Sequence, residues 1–214
     1  MKIYENLHMI IGTALLIVCA YYYINAARKD SILVESFEGK IGADTADYGS
    51  SPDSSLTVKA AAKSSRCGRQ SVEMKYDLKP YGYVYFAKGY GLYHRKDVNA
   101  WSGGQSGWLV HPDKISWKDY DAFSVLLKGK NVGKVAIDLK DAGGEMWRHT
   151  VHVDTKGWTK FTVPFDDFSV RRDWQPESAD LNKYIDYPFT SFQFEPKNPG
   201  AGTLYADCVK FVEL

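Results

Sequence analysis

The sequence lacks a surplus of one charge and lacks the short motifs that mark common enzymes. Its 27 lysines and arginines are nearly balanced by 26 aspartates and glutamates, which leaves a formal net charge of +1. Domains that bind nucleic acid usually carry a clustered basic surplus, so we expect no nucleic-acid partner. The sequence has no serine nucleophile elbow, Walker loop or dinucleotide fingerprint. We therefore predict no catalytic activity.

Cysteine is scarce, with 3 residues in a chain of 214. There is no Cys-x-x-Cys pair, and the histidines fit no metalloprotease helix motif, so the sequence indicates no zinc site. Cys19 lies in a hydrophobic segment, which leaves Cys67 and Cys208 for the rest of the chain. These two fit either a disulfide in an exported protein or a pair of buried thiols.

Long apolar runs are also rare, and the one that stands out is Met9–Ile24, just before the basic pair Arg28-Lys29. It is shorter than the roughly 20 residues of a membrane-spanning helix and fits the apolar part of a secretory signal. The tyrosines at 21–23 would equally suit a retained anchor at a membrane interface. We predict that residues 1–30 form a hydrophobic helix, either a signal peptide or a membrane anchor. The protein would then be secreted, periplasmic or membrane-anchored on the extracytoplasmic side.

Helical periodicity is missing from residues 31–214, and two-residue alternation takes its place. Val135, Ile137 and Leu139 share one face of a segment whose other face carries Asp138 and Lys140. This pattern is typical of a sheet packed on one side. We predict strands at Ile32–Glu38, Ser71–Leu78, Tyr83–Ala87, Ala122–Leu127, Phe189–Glu195 and Thr203–Val212, and three more within Lys134–Val163. The segments Gly39–Lys63 and Lys88–Trp117 are predicted loops, and the fold is an all-β sandwich or barrel.

Several residue groups along this pattern are shared with a known fold. They are Phe37-Glu38-Gly39, Trp117-x-x-Tyr120-Asp121, Gly144-x-x-Trp147, Gly157-Trp158-x-x-Phe161-x-Val163-Pro164-Phe165-x-x-Phe168 and Leu204-Tyr205-x-Asp207. With these groups, residues 32–214 resemble the galactose-binding-like jelly rolls. The chain is similar to family 11 carbohydrate-binding modules and to the domain of complex I intermediate-associated proteins. The resemblance implies a jelly-roll β-sandwich over residues 31–214, with Trp147 and Trp158 in its core.

The polar face of the predicted sheet carries the candidate binding residues. Aromatic rings stack on the C–H face of a sugar, while carboxylate, amide and guanidinium groups bind its hydroxyls in forked pairs. The candidates on this face are Tyr83, Tyr85, Asp138, Arg148, His152 and Gln193, and Trp101 and Trp108 in the glycine-rich segment could wall a cleft. The alternative for the sheet residues is a solvated face with cross-strand charge pairs such as Asp138 with Arg148. The alternative for Trp101 and Trp108 is a small satellite core under the loop.

A structural calcium is a further expectation that comes from the resemblance. It implies that a carboxylate at the end of the first strand and one in the last strand, Glu38 and Asp207, help to hold the ion. Calcium takes six to eight oxygen ligands, and the loop around Asp44–Asp53 offers more of them. The alternative is two carboxylates at a solvent-exposed edge.

These observations favour a non-catalytic module that binds a glucan-like polysaccharide on the concave face of a sheet. A protein–protein interaction or assembly module on the same fold is the alternative. A glycoside hydrolase is less favoured, because the acid pair Asp166-Asp167 falls in a turn after Pro164-Phe165. The remaining expected partner is the membrane, through residues 1–30 if they are not cleaved.

Overall fold

The computed structural model describes residues 30–92, 107–153 and 157–214, which form two antiparallel sheets. The strands are β1 (Ser31–Glu35), β2 (Asp47–Ser50), β3 (Ser55–Ala61), β4 (Ser71–Leu78), β5 (Val84–Gly89), β6 (Ala122–Lys130), β7 (Gly133–Lys140), β8 (Met146–Val153), β9 (Thr159–Pro164), β10 (Ser169–Val170), β11 (Ser191–Pro196) and β12 (Gly200–Val212). Short 3-10 helices occupy Pro112–Lys114, Trp117–Asp119 and Phe165–Asp167. The predicted all-β sandwich is confirmed.

Each sheet has 6 strands. The first has the order β3-β4-β12-β6-β9, and β1 also pairs with β12. The long strand β12 pairs with β4 through Gly200–Ala206 and with β1 through Val209–Val212. Its register with β6 shifts between Asp207 and Lys210, where Cys208 has a positive φ of 54°. One strand therefore ties together the first, fourth and sixth strands of the chain.

The second sheet has the order β10-β8-β7-β11-β5-β2. The inward residues of β7 and β11 alternate as the sequence predicts, with Ile137, Leu139, Phe192 and Phe194 almost completely buried. Phenylalanines dominate the space between the sheets, where Phe123 contacts both Phe192 and Phe211. The apolar side of this sheet belongs to the core, so its polar side is left to face outward.

Two predicted loops, Gly39–Lys63 and the Lys88–Trp117 segment that contains Trp108, differ from the sequence-based expectation. The predicted loop Gly39–Lys63 contains β2 and β3, whose side chains are at most partly buried, except Asp47. An edge strand without a buried stripe shows no apolar alternation, which is why the pattern misses both. Trp108 lies in the core, where its ring packs on Phe192.

Of the two tryptophans predicted as core, Trp147 is buried and Trp158 is not. Trp158 is half-buried and contacts the ring of Tyr205, and the Lys128 ammonium lies 5.3 Å from the centre of its ring. The prediction for Trp158 is therefore wrong. Trp158 directly precedes β9 and shares the parity of the exposed Lys160, opposite to that of the buried Val163.

The predicted hydrophobic helix, with Met9–Ile24, lies outside the described residues. Among residues 30–92, 107–153 and 157–214, no helix is long and apolar enough to cross a membrane.

Candidate functional site

A cleft of about 880 Å³ lies on the outward face of the second sheet. Its floor is formed by the outward residues of neighbouring strands, which include Gly49 on β2, Tyr85 on β5 and Gln193 on β11. The rest of the lining includes Tyr81, Tyr83, Lys140, Met146, Arg171, Asp173, Trp174, Ser191, Glu195 and Lys197. Aromatic rings and hydrogen-bonding groups therefore share one concave surface.

Tyrosines line the cleft near β5 and β2. The rings of Tyr83 and Tyr85 lie 6.2 Å apart, and the Tyr85 hydroxyl donates to the Asp47 carboxylate over 3.2 Å. Gly49 is the cross-strand partner of Tyr85, and a β-carbon there would lie 3.1 Å from the tyrosine ring. The glycine thus lets the ring of Tyr85, which lines the cleft, lie over the neighbouring strand.

Trp174 lines the cleft from the other edge of the sheet. It follows β10, which is held on β8 by the pairing of Ser169 with Arg148 and of Val170 with Trp147. The Arg171 guanidinium carbon lies 5.2 Å from the centre of the Trp174 ring, within the range of a cation–π contact. The strand order places this tryptophan and the tyrosines toward opposite edges of the sheet.

A buried carboxylate underlies the middle of the cleft. Asp138 on β7 is 0% exposed. Arg148 donates to its two oxygens over 2.6 and 2.8 Å, Arg171 donates over 3.1 Å, and the Gln193 amide donates over 3.2 Å. Two guanidinium groups and an amide thus satisfy the charge of Asp138.

The same cations bind two further carboxylates. Arg148 contacts Asp173 over 3.1 Å and Glu195 at short range, and Arg171 contacts Asp173 over 2.8 Å and Glu195 over 3.4 Å. Lys197 donates to Glu195 over 2.8 Å. Together with Asp138 these are three acidic and three basic side chains, so the network is formally neutral. Its shared hydrogen bonds fix the positions of the side chains that line the cleft.

The network shifts the pKa values of its members in both directions. Burial raises the pKa of Asp138, and hydrogen bonds from Arg148 oppose that rise. Burial works against the charge of Arg148, but its hydrogen bonds to Asp138, together with the negative charges of Asp138, Glu195 and Asp173, outweigh burial and raise the pKa of the guanidinium. Burial alone would raise the pKa of Asp173, yet Arg171 and Arg148 lower it to about 2. At neutral pH the Arg148 guanidinium and the Asp173 carboxylate are therefore charged.

The sequence of this chain matches a family model described as "Carbohydrate binding domain (family 11)" over residues 24–213. The chain belongs to carbohydrate-binding family 11. It is a non-catalytic carbohydrate-binding module, as the sequence predicts. A search of the curated proteins found no match.

Solved structures of such modules share the fold. The family 11 module of the cellulosomal cellulase Lic26A-Cel5E of Clostridium thermocellum aligns with a TM-score of 0.60 and 18% identity, over 86% of this chain and 95% of that one. A family 11 module from the same organism in complex with a β-1,3-1,4-mixed-linked tetrasaccharide has a TM-score of 0.60 and 18% identity, over 85% and 95%. A family 30 module of the C. thermocellum cellulase Cel9D-Cel44B has a TM-score of 0.57 and 13% identity, over 86% and 97%.

The structure brings together some of the binding residues that the sequence predicts. Tyr83, Tyr85 and Gln193 line the cleft. Asp138 and Arg148 do not lie open to solvent as the parity of their strands predicts, because Asp138 is fully buried and the Arg148 side chain is 16% exposed. They form the cross-strand pair that the alternative names.

The other expected residues lie elsewhere. His152 is exposed on β8, opposite Lys134, and is not part of the cleft lining. Trp101 lies outside the described residues. Arg171 and Trp174 belong to the cleft but come from an irregular segment, where no periodic pattern could indicate their direction.

The two carboxylates expected to hold calcium accept hydrogen bonds from the backbone. Asp207 accepts from the N–H groups of Arg66, Cys67 and Cys208 over 2.5, 3.0 and 2.8 Å. Glu38 accepts from the N–H groups of residues 69 and 70 over 2.6 and 3.0 Å. Backbone N–H donors therefore already bind oxygen atoms of both carboxylates.

Asp207 is also fully buried, unlike a carboxylate at a solvent-exposed edge. A structural calcium held by Glu38 and Asp207 stays a prediction, and melting curves in calcium and in chelator would test it.

Cys67 and Cys208 form a disulfide, with a Cα–Cα distance of 5.3 Å. Their sulfur atoms lie near the Asp207 carboxylate, in a group whose ligand types could suit a metal ion. Because both sulfurs are bonded to each other, neither is a thiolate that could bind a metal. The disulfide and Asp207 instead fasten residues 66 and 67 to strand β12, and Glu38 fastens residues 69 and 70 to the segment after β1.

Proposed function

We propose that the cleft binds a β-glucan chain, with sugar rings stacked on its aromatic residues and hydroxyls bound by its polar residues. The observation that carries this proposal is the shared lining of Tyr83, Tyr85 and Trp174 with Gln193 and Arg171 on one concave surface. A sugar ring presents a C–H face that packs on an aromatic ring. Its hydroxyls match amide and guanidinium donors.

The charge network below the cleft supports this function through preorganisation. Gln193 and Arg171 are already held by the Asp138 carboxylate, and Lys197 is held by Glu195. Side chains fixed before binding lose less conformational freedom when the ligand arrives. The neutral sum of the network also suits an uncharged polysaccharide, since no excess charge has to be desolvated there.

One structural relative supports the choice of the first glucan to test. A family 11 module of C. thermocellum was solved with a β-1,3-1,4-mixed-linked tetrasaccharide. That oligosaccharide is therefore the first ligand to test on this chain.

The test is a calorimetric titration of the tetrasaccharide into the wild type, Tyr85→Ala and Trp174→Ala. Loss of one stacking surface should weaken binding about tenfold without unfolding the domain. Tyr184→Ala is a matched control, because Tyr184 is 75% exposed and lies outside the cleft lining. Wild type that binds no glucan, or cleft variants that bind as well as the control, would contradict the proposal and favour an assembly module.

We also propose that the domain works outside the cytoplasm, with residues 1–30 as signal peptide or membrane anchor. Two observations support this location: the apolar run Met9–Ile24 and the Cys67–Cys208 disulfide, since disulfides persist mainly in oxidising compartments. Cell fractionation and N-terminal sequencing of the isolated protein test it. An intact N-terminus in the cytoplasmic fraction would contradict it.

A further inference from the structure

Lys140 differs from the other basic residues of the cleft. It is an outward residue near the end of β7, beside Met146 on β8 and Ser191 on β11, and all three line the cleft. Its side chain is half-buried, and its ammonium group donates a hydrogen bond to the backbone carbonyl of Gly91. An ammonium group has three N–H donors, so the Gly91 carbonyl leaves donor capacity on this cleft-lining side chain.

Within residues 30–92, 107–153 and 157–214, no ion pair neutralises the charge of Lys140. The other cations of the lining, Arg171 and Lys197, each contact a carboxylate. Lys140 is therefore the cation of the described lining whose ammonium group contacts a backbone carbonyl and no carboxylate.

The nearest carboxylate along the chain is already engaged. Asp141 accepts hydrogen bonds from the Glu145 N–H over 2.8 Å, from the Trp147 indole over 2.8 Å and from the Asp186 N–H over 3.3 Å. Burial lowers the pKa of Lys140, and the charge of Asp141 opposes this fall. A partly desolvated cation gains most from an anionic partner, because the low dielectric strengthens their attraction.

We propose that Lys140 binds an anionic substituent on the polysaccharide, the carboxylate of a uronic acid or a sulfate ester. This inference rests on the proposed function, because it takes the cleft as the place where the glycan lies. The ammonium group would contact the anion while the neighbouring sugar rings occupy the aromatic surfaces. Lys140 would then select among glycans by charge, and the neutral network would hold their uncharged residues.

The test compares three β-linked tetrasaccharides: one of glucose only, one with a single glucuronic acid, and one with a single 6-sulfated glucose. Each is titrated into the wild type, Lys140→Met and Lys140→Arg, with the full chain in every case. Lys160→Met is the matched control, because Lys160 is exposed on β9 in the other sheet. The quantity compared is the ratio of anionic to neutral affinity, which a general loss of stability would not change.

We expect the wild type and the control to bind at least one anionic tetrasaccharide about tenfold to a hundredfold more tightly than the neutral one, as for a hydrogen bond to a charged group. Lys140→Met should bring the ratio close to one, and Lys140→Arg should retain most of it. The ligand that shows the larger ratio distinguishes carboxylate from sulfate. Neutral binding without preference, or a preference that survives Lys140→Met, would overturn the inference and leave the proposed function standing. Failure of all three ligands to bind would overturn both.

Discussion

Asp138 is a charged residue whose side chain has no access to solvent. Burying a lone carboxylate costs several kcal/mol, and this cost is offset only when partners supply good hydrogen bonds. Arg148 supplies two of them, and its remaining donors reach Glu195 and Asp173. The structural role of Arg148 is thus to hold carboxylates under the cleft, and contact with sugar falls to the residues that line it.

Arg148→Ala should destabilise the fold. Removing one partner of a buried ion pair leaves an uncompensated charge and lowers the free energy of unfolding by about 3–5 kcal/mol. Arg172→Ala is the control, because Arg172 is exposed beside the network. Urea unfolding followed by fluorescence measures both. Equal stability of the two variants would show that Asp138 does not depend on Arg148.

Asp173 should make a small contribution to stability that acid removes. Its pKa in the folded protein is about 2, below the roughly 3.9 of an unfolded chain. A lowered folded pKa stabilises the fold above the unfolded value, so this contribution is complete above about pH 4 and is lost as the pH falls to about 2. The side chain is 53% exposed, so solvent screening keeps the contribution below about 1 kcal/mol.

Asp173→Asn removes the titrating group and should flatten the melting temperature between about pH 4 and pH 2, relative to wild type. Parallel acid profiles of the two proteins would show that Asp173 contributes nothing in this window.

At the scale of the element, the segment after β10 shows how an irregular stretch can be positioned. The Arg171 N–H donates to the Met146 carbonyl over 2.8 Å, and the Gln175 side chain bonds both backbone groups of Met146 over 2.8 and 3.0 Å. These bonds continue the pairing with β8 beyond the end of β10. They hold Trp174 over the cleft without a regular strand.

The strands that one sequence could predict are those with one buried and one polar face. In β7, the alternation of Val135, Ile137 and Leu139 predicts both the strand and the side that faces the core. Strand β3 has no buried residue, so nothing in its composition separates it from a loop. The parity of Asp138 correctly indicates its face but not its burial, because the covering Arg171 comes from a segment without periodicity.

The disulfide links Cys67 to Cys208 on β12, which is 141 positions away in the sequence. Restricting the unfolded chain in this way contributes about 2–5 kcal/mol in secreted domains. The double variant Cys67→Ser, Cys208→Ser should therefore melt at a lower temperature than wild type, and a reductant should bring wild type toward it. Cys19→Ser is the control, since Cys19 precedes the domain. If reductant leaves the melting temperature of the wild type unchanged, the Cys67–Cys208 disulfide would be contradicted.

At the scale of the whole molecule, residues 31–214 combine an aromatic core with a concave, polar outward face on the second sheet. About half of the residues that line the cleft lie on strands, which are less mobile than loops. A sheet held on its other face by phenylalanines is a stiff support. The cleft is therefore formed before any ligand arrives.

A protein that begins at Ser31 should fold and remain soluble, because the strands and the core all lie within residues 31–214. Thermal unfolding should be cooperative, and glycan affinity should equal that of the full chain. An insoluble product, or one without a cooperative transition, would show that residues 1–30 belong to the folded domain.

We expect sugar to bind in the cleft beside Trp174, and the indole N–H signals of the tryptophans report this binding by NMR. Trp174 lines the cleft, Trp108 and Trp147 are buried in the core, and Trp158 lies on the other sheet. Adding the β-1,3-1,4 tetrasaccharide should shift the Trp174 signal and leave these three in place. An unchanged Trp174 signal, or a shift of Trp158 alone, would contradict the account.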